Sequence, residues 1–195
     1  MVSQSSTMVP LGTPAPDFSL PEVGGGTVRL QDLAAAPALL VVFLCNHCPY
    51  VRHIRSALAQ FGRDYAVQGL AMVGISSNDP ERYPDDGFAA MKLEKSSAGY
   101  PFPYCFDADQ ALAKAYRAAC TPDFFLFDRG RRLYYRGQFD DSLPRNALPV
   151  TGRDLRTALD RCLANDPPPV DQRPSMGCNI KWKPGAEPPW FPVAR

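Results

Sequence analysis

The chain is short of several things, and each shortage excludes a class of function. An excess of one charge is missing: 21 Lys and Arg stand against 20 Asp and Glu, a formal net charge of +1 over 195 residues. With the basic residues dispersed, no face for nucleic acid or for an anionic membrane surface is built. No uncharged apolar stretch has membrane-spanning length. The opening residues are rich in Ser, Thr and Pro and lack the continuous apolar core of a secretory leader. These absences read as a soluble, cytoplasmic protein with no membrane and no nucleic-acid partner. Gly24-Gly25-Gly26 is followed by neither Lys-Ser/Thr nor a helix, which leaves a turn and not a phosphate loop. His47 and His53 are the only histidines, too few for a histidine-rich copper site.

What the chain does have is six cysteines, and in a reducing compartment such residues are reactive or buried more often than bridged. Two of them stand in Cys45-Asn46-His47-Cys48-Pro49, directly after the apolar run Leu39–Leu44. Cysteines so spaced, where a strand meets a helix, can close into a disulfide and open again. A helix beginning at the second cysteine aims its unpaired N–H groups and positive dipole end at the sulfurs and favours thiolate over thiol. The expectation is that Cys45 acts as nucleophile and Cys48 resolves the mixed disulfide. A structural zinc site would need a second such pair, and Cys105, Cys120, Cys162 and Cys178 supply none. No metal or bound cofactor is expected.

Periodicity places the motif. Leu39–Leu44 is too short for a helix and reads as a strand buried on both faces. Val51, Ile54, Leu58, Phe61 and Tyr65 then fall at helical spacing after Pro49, which suits a first turn. Gly69–Ser76 is the next strand. The Pro-rich segment Asn78–Pro103, with a helix over Asp85–Ser96, reads as an insertion. A helix over Asp109–Ala118 follows, then strands Pro122–Asp128 and Arg131–Gln138 joined at Arg129-Gly130, then a helix over Gly152–Ala164. Before the first core strand, an extended arm over Gly12–Leu20 and a short strand Thr27–Leu30 flank the triple glycine. The composition divides at Asp166, since eight of the 21 prolines and both tryptophans, Trp182 and Trp190, lie beyond it. Residues 1–165 read as one α/β domain, and 166–195 as an extended tail docked on it through its aromatics. The pattern predicts a central mixed sheet flanked by helices. Asp85-Asp86 and Asp140-Asp141 read as solvated turn residues.

At this point the chain resembles the thioredoxin superfamily. Asp17-Phe18, the strand ending in the Cys45–Cys48 motif, Thr121-Pro122 before a strand, and the closing hairpin carry the likeness. Within that superfamily it is most similar to peroxiredoxin-like CxxC proteins of the alkyl hydroperoxide reductase/thiol-specific antioxidant group. Ala119-Cys-Thr-Pro-Asp-Phe-Phe125 and Ser175-Met-Gly-Cys-Asn-Ile-Lys-Trp182 extend the likeness into the tail. The resemblance implies a thioredoxin fold with an N-terminal hairpin, an insertion after the second core strand, and redox chemistry at Cys45 and Cys48. It also implies that Thr121-Pro122 is the cis-proline pair that presents backbone to substrate. His47 either stabilises the thiolate beside it or stands as an exposed histidine at a helix start. Cys120 is either an auxiliary redox thiol or a core residue, Cys178 either a resolving thiol or an anchor, and Cys105 and Cys162 pack.

Three functions compete. The first is a thiol–disulfide oxidoreductase acting on protein or small-molecule disulfides with an unidentified electron donor, as monomer or homodimer. The second is a thiol peroxidase in which Cys48 is peroxidatic and Cys45 resolves. The third is a non-catalytic or metal-binding thioredoxin-fold module. Peroxiredoxins carry Pro and Thr or Ser where this chain has Val41 and Cys45, and an arginine where it has Thr121-Pro122-Asp123; only Arg52 is placed to replace that charge. Thioredoxins place a carboxylate before the motif, whereas here no Asp or Glu occurs between Asp32 and Asp64, and Leu44 replaces the tryptophan. The proton of the pair must therefore pass through His47, water or a carboxylate from elsewhere, such as Asp123.

Overall fold

The structure is a computed structural model and describes residues 3–191; Met1, Val2 and the last four residues of the proposed tail lie outside it. In chain order the elements are β1 (Ser3–Ser5), β2 (Ser19–Pro21), β3 (Thr27–Arg29), β4 (Ala38–Phe43), α1 (Pro49–Ala66), β5 (Leu70–Ser76), α2 (Phe88–Ala98), β6 (Tyr104–Phe106), α3 (Ala111–Ala115), β7 (Cys120–Thr121), β8 (Asp123–Phe127), β9 (Leu133–Arg136), α4 (Arg153–Leu163) and β10 (Met176–Asn179). Five of them form the central sheet in the order β6-β5-β4-β8-β9. β4 pairs parallel with β5 and antiparallel with β8. Sequence and structure agree on this mixed sheet, on the β2–β3 hairpin at its N-terminal side and on the insertion between β5 and β6. Among the described residues no helix is long and apolar enough to cross a membrane.

β4 is apolar throughout because both faces of the central strand are covered. Side chains alternate across a strand, so Leu40 and Val42 join one core with Val51, Ile54 and Leu58 of α1 and Leu155 and Leu159 of α4. Leu39, Val41 and Phe43 join the other, with Leu112 of α3, Phe125, Phe127, Ile180 and Trp182. The tail thus supplies part of the second core. Trp190 also docks, with the Arg117 guanidinium 5.2 Å from its ring centroid.

Several bounds differ from the sequence expectation. α2 begins three residues late because Pro84–Asp86 forms a tight 3-10 turn first. α3 is reduced to five residues: Asp107 captures the N–H groups of Leu112 and Ala113, and Gln110 and Arg117 take positive φ at either side. β9 is shorter than expected, with an irregularity at Leu126/Phe127 in its pairing with β8. Asp140 is no solvated turn residue, since it is buried and accepts the N–H groups of Ser142, Thr151 and Gly152. β1 was not foreseen at all. It pairs antiparallel with β10, which pairs on its other side with β7, a second, three-stranded sheet.

Trp182, only 4% exposed, is therefore a core residue contributed by the tail. Trp182→Ala should cost about 3–5 kcal/mol, the range for emptying an aromatic site. Urea unfolding followed by circular dichroism measures it, and a loss below about 1 kcal/mol would mean that the tail is not part of the cooperative unit.

Candidate active site

The Cys45–Cys48 motif leaves the C-terminal end of β4, and Cys48 is the N-cap of α1, with extended backbone angles and Pro49 at the first helical position. Both cysteines are almost wholly buried, at 1% and 0% exposure. Thr121 holds them together, for the Cys48 thiol lies 3.0 Å from its carbonyl oxygen and the Cys45 sulfur 3.2 Å from its hydroxyl. The Thr121–Pro122 bond is cis. None of the six cysteines is in a disulfide.

The two thiols differ sharply in how firmly they hold a proton. Hydrogen bonds from the Cys178 and Cys45 thiols, together with the amides of Val51 and Cys178, outweigh burial and draw Cys48 far below an ordinary cysteine. Cys45 moves the other way, because its proton is held by Cys48, it is desolvated, and the Asp86 carboxylate lies near. The sequence expectation placed the thiolate on Cys45, whereas the donors around Cys48 favour the charge on that sulfur. The helix terminus stabilises the residue that caps it, which is Cys48.

Asp86 is the site residue that sequence reasoning missed. It is fully buried, not a solvated turn residue, and reaches the motif from the insertion. Its carboxylate accepts the Asn46 N–H at 2.7 Å and the Asn78 amide at 2.7 Å, and faces His47 Nδ1 at 2.6 Å. Burial acts to raise its pKa, but the bonds from His47, Asn78 and Asn46 prevail and hold it below the ordinary carboxylate range. Asn46 also donates to Asp85 O and accepts from Tyr104. No periodicity marks this contact, and the one signal available was a polar cluster, Asn78 to Asp86, in an insertion otherwise too irregular to place.

His47 is largely buried between Asp86 and Tyr83, whose ring stacks on it at 5.4 Å, so it is not an exposed helix-start residue. A nitrogen of its ring lies within 4.8 Å of the Cys45 sulfur and an Asp86 oxygen. Those three groups could in principle ligate a soft cation. Here His47 Nδ1 and the Asp86 carboxylate are paired with each other at 2.6 Å. The arrangement is that of an oriented imidazole, with Nε2 buried and lacking a hydrogen-bond partner among the described residues.

The remaining candidates separate. Cys178 on β10 lies opposite Thr121 and touches Cys48. Cys120 turns its sulfur toward Pro122 O at 3.5 Å, and burial with the Asp123 charge keeps it protonated. Cys105 and Cys162 are pushed up to about 12 by burial and pack as inert groups. Arg52 Nε donates to Asn46 O at 2.9 Å, within the motif's own backbone. The carboxylate that acts on Cys45 is Asp86, while Asp123 accepts the Ala119 N–H at 3.0 Å.

Comparison with known proteins follows this geometry. The AhpC/TSA family model matches residues 11–136. An uncharacterised conserved protein from Geobacillus kaustophilus is 50% identical over 95% of this chain and 99% of its own, with a TM-score of 0.93. A hypothetical protein from Sinorhizobium meliloti 1021 is 52% identical over 93% of this chain and 99% of its own, with a TM-score of 0.91. A thiol:disulfide interchange protein of the thioredoxin family from Chlorobium tepidum shares the fold at 22% identity, covering 78% of this chain and 97% of its own, with a TM-score of 0.61. No curated protein matches the chain.

Asp123 gives the site neighbourhood a pH signature. Complete burial pushes its pKa up to about 7 despite amides from Ala119, Cys120 and Phe124. An acid held above its unfolded value of about 3.9 stabilises the fold fully at low pH, and that contribution is lost as pH rises to about 7. Relative to Asp123→Asn, the wild type should lose up to about 4 kcal/mol between pH 4 and pH 7. Parallel stability profiles of the two proteins would refute this.

Proposed function

Since the chain belongs to the AhpC/TSA family, we propose that it is a thiol–disulfide oxidoreductase in which Cys48 supplies the attacking thiolate and Cys45 resolves. The convergence of donors on the Cys48 sulfur, against the retained proton of Cys45, carries this reading. The Cys48 thiolate attacks one sulfur of a substrate disulfide, a mixed disulfide forms, and the first substrate thiolate leaves. Cys45 gives up its proton and attacks Cys48; the second substrate thiolate leaves, and the Cys45–Cys48 disulfide remains.

His47 suits the role of proton acceptor for Cys45. The Asp86 carboxylate, 2.6 Å from Nδ1, pairs with the ring and holds it, and Nε2 has no competing partner among the described residues. Thr121 positions both sulfurs. The substrate class is a protein or small-molecule disulfide, and an external thiol restores the reduced pair.

The same Cys48 thiolate supports a second reading, peroxidase chemistry through a Cys48 sulfenic acid that Cys45 then resolves. Thr121-Pro122-Asp123 stands where peroxiredoxins carry an arginine, and the missing cation for a departing peroxide oxygen weighs against it.

Stopped-flow oxidation of the reduced wild type, Cys45→Ser and Cys48→Ser separates these readings. With glutathione disulfide, Cys48→Ser should slow the first step by about tenfold or more, because the remaining thiol is almost entirely protonated near neutral pH. Cys45→Ser should keep that step and form a mixed disulfide at Cys48 that no Cys45 thiol can resolve. Peroxide oxidation of Cys48 much faster than that of an ordinary cysteine would make the protein a peroxidase. Equal loss of the first step in both variants would contradict the assignment of roles.

A further inference from the structure

A buried redox pair has to pass its oxidising equivalents outward, and Cys45 and Cys48 have essentially no exposed surface. Cys178 is built into the gap. β10 is the middle strand of its small sheet, with Cys178 registered against Ser3 on one side and Thr121 on the other. The close fit is specified by Gly177, where a Cβ would stand 2.0 Å from the Thr121 carbonyl oxygen. This register sets the Cys178 thiol against the Cys48 sulfur. Cys178, itself only 2% exposed, stands at the floor of a cleft lined by Ser3, Pro49, Tyr50, Leu143 and Arg145, one layer nearer to solvent than the pair.

We propose that Cys178 is a third redox-active sulfur of this site, which carries the disulfide from the buried pair to the cleft. The proposal rests on the reading of Cys45–Cys48 as a redox pair. In the oxidised protein the Cys178 sulfur, losing its proton, attacks Sγ of Cys48. The 48–178 bond forms, the 45–48 bond breaks, and Cys45 leaves with the electron pair and takes up a proton. Nothing is oxidised or reduced overall. A small thiol entering the cleft then attacks Cys178 and forms a mixed disulfide with it. Cys48 departs as its stabilised thiolate, which makes it the better leaving group. A second small thiol resolves the mixed disulfide, so two thiols are oxidised to one disulfide and the protein is fully reduced. In the reduced protein the Cys48 thiolate holds the Cys178 proton; once Cys48 is in a disulfide that acceptor is gone, and Cys178 is released to attack.

The test oxidises wild type, Cys45→Ser and Cys178→Ser with glutathione disulfide, alkylates the remaining thiols and maps the peptides by mass spectrometry. In Cys45→Ser, the peptides carrying Cys48 and Cys178 should come off linked, and Cys178→Ser should still form the 45–48 disulfide. In the wild type, quenching during reduction by glutathione should reveal the same 48–178 link beside 45–48. Gly177→Ala, which forces β10 away from Thr121, should abolish the link. If Cys45→Ser ends as a Cys48–glutathione adduct with Cys178 alkylated, and the quenched wild type holds only 45–48, the relay is wrong and the redox pair stands. If the wild type forms neither disulfide, the redox reading falls with it.

Discussion

A sulfur anion taken out of water must find donors in the protein, and the arrangement around Cys48 follows from that constraint. Burial alone would raise a cysteine's pKa and leave it inert, as it does for Cys105 and Cys162. Cys48 differs because it caps α1 and because two further thiols are directed at it. One of those thiols comes from its own motif and the other from the far end of the chain. Cys48 is thereby primed while Cys45 is held back, so the two members of a symmetric motif become unequal.

The tail does more than cover the sheet. Its backbone at Lys181 donates to Asn78 and accepts from Asp79, and Asn78 in turn donates to Asp86. Gln110 adds bonds to Ser77 O and Lys181 O. One hydrogen-bonded path therefore runs from the tail through the insertion to the carboxylate that orients His47. The same segment sets Cys178 against Cys48 on one side and seats Trp182 in the second core on the other. Loss of packing by the tail would therefore disturb the proton balance of the motif as well as the stability of the fold.

Much of the fold could be read from the sequence because its signals are local. The unbroken apolar run of β4, the three-and-four spacing of α1 and the turn residues of the closing hairpin each declare their element without outside help. So does the Cys45–Cys48 motif. What escaped depends on contacts between distant segments. Ser3–Ser5 is a polar tripeptide with no strand pattern, and it forms a strand only because β10 offers an edge. Asp86 looked solvated because nothing nearby in sequence indicates that Asn46, His47 and Asn78 close over it. The roles of the two cysteines could not be ordered from their spacing, since the donor that tips the balance, Cys178, lies 130 residues beyond Cys48.

The account stands or falls on which sulfur loses its proton first. Titrating the ultraviolet absorbance of thiolate in the fully reduced protein, with Cys45→Ser and Cys48→Ser alongside, asks this directly. The account predicts a thiolate that persists far below about 8.5, the value of an ordinary cysteine, survives in Cys45→Ser and vanishes in Cys48→Ser. A low-titrating thiolate that instead survives in Cys48→Ser and vanishes in Cys45→Ser would contradict it.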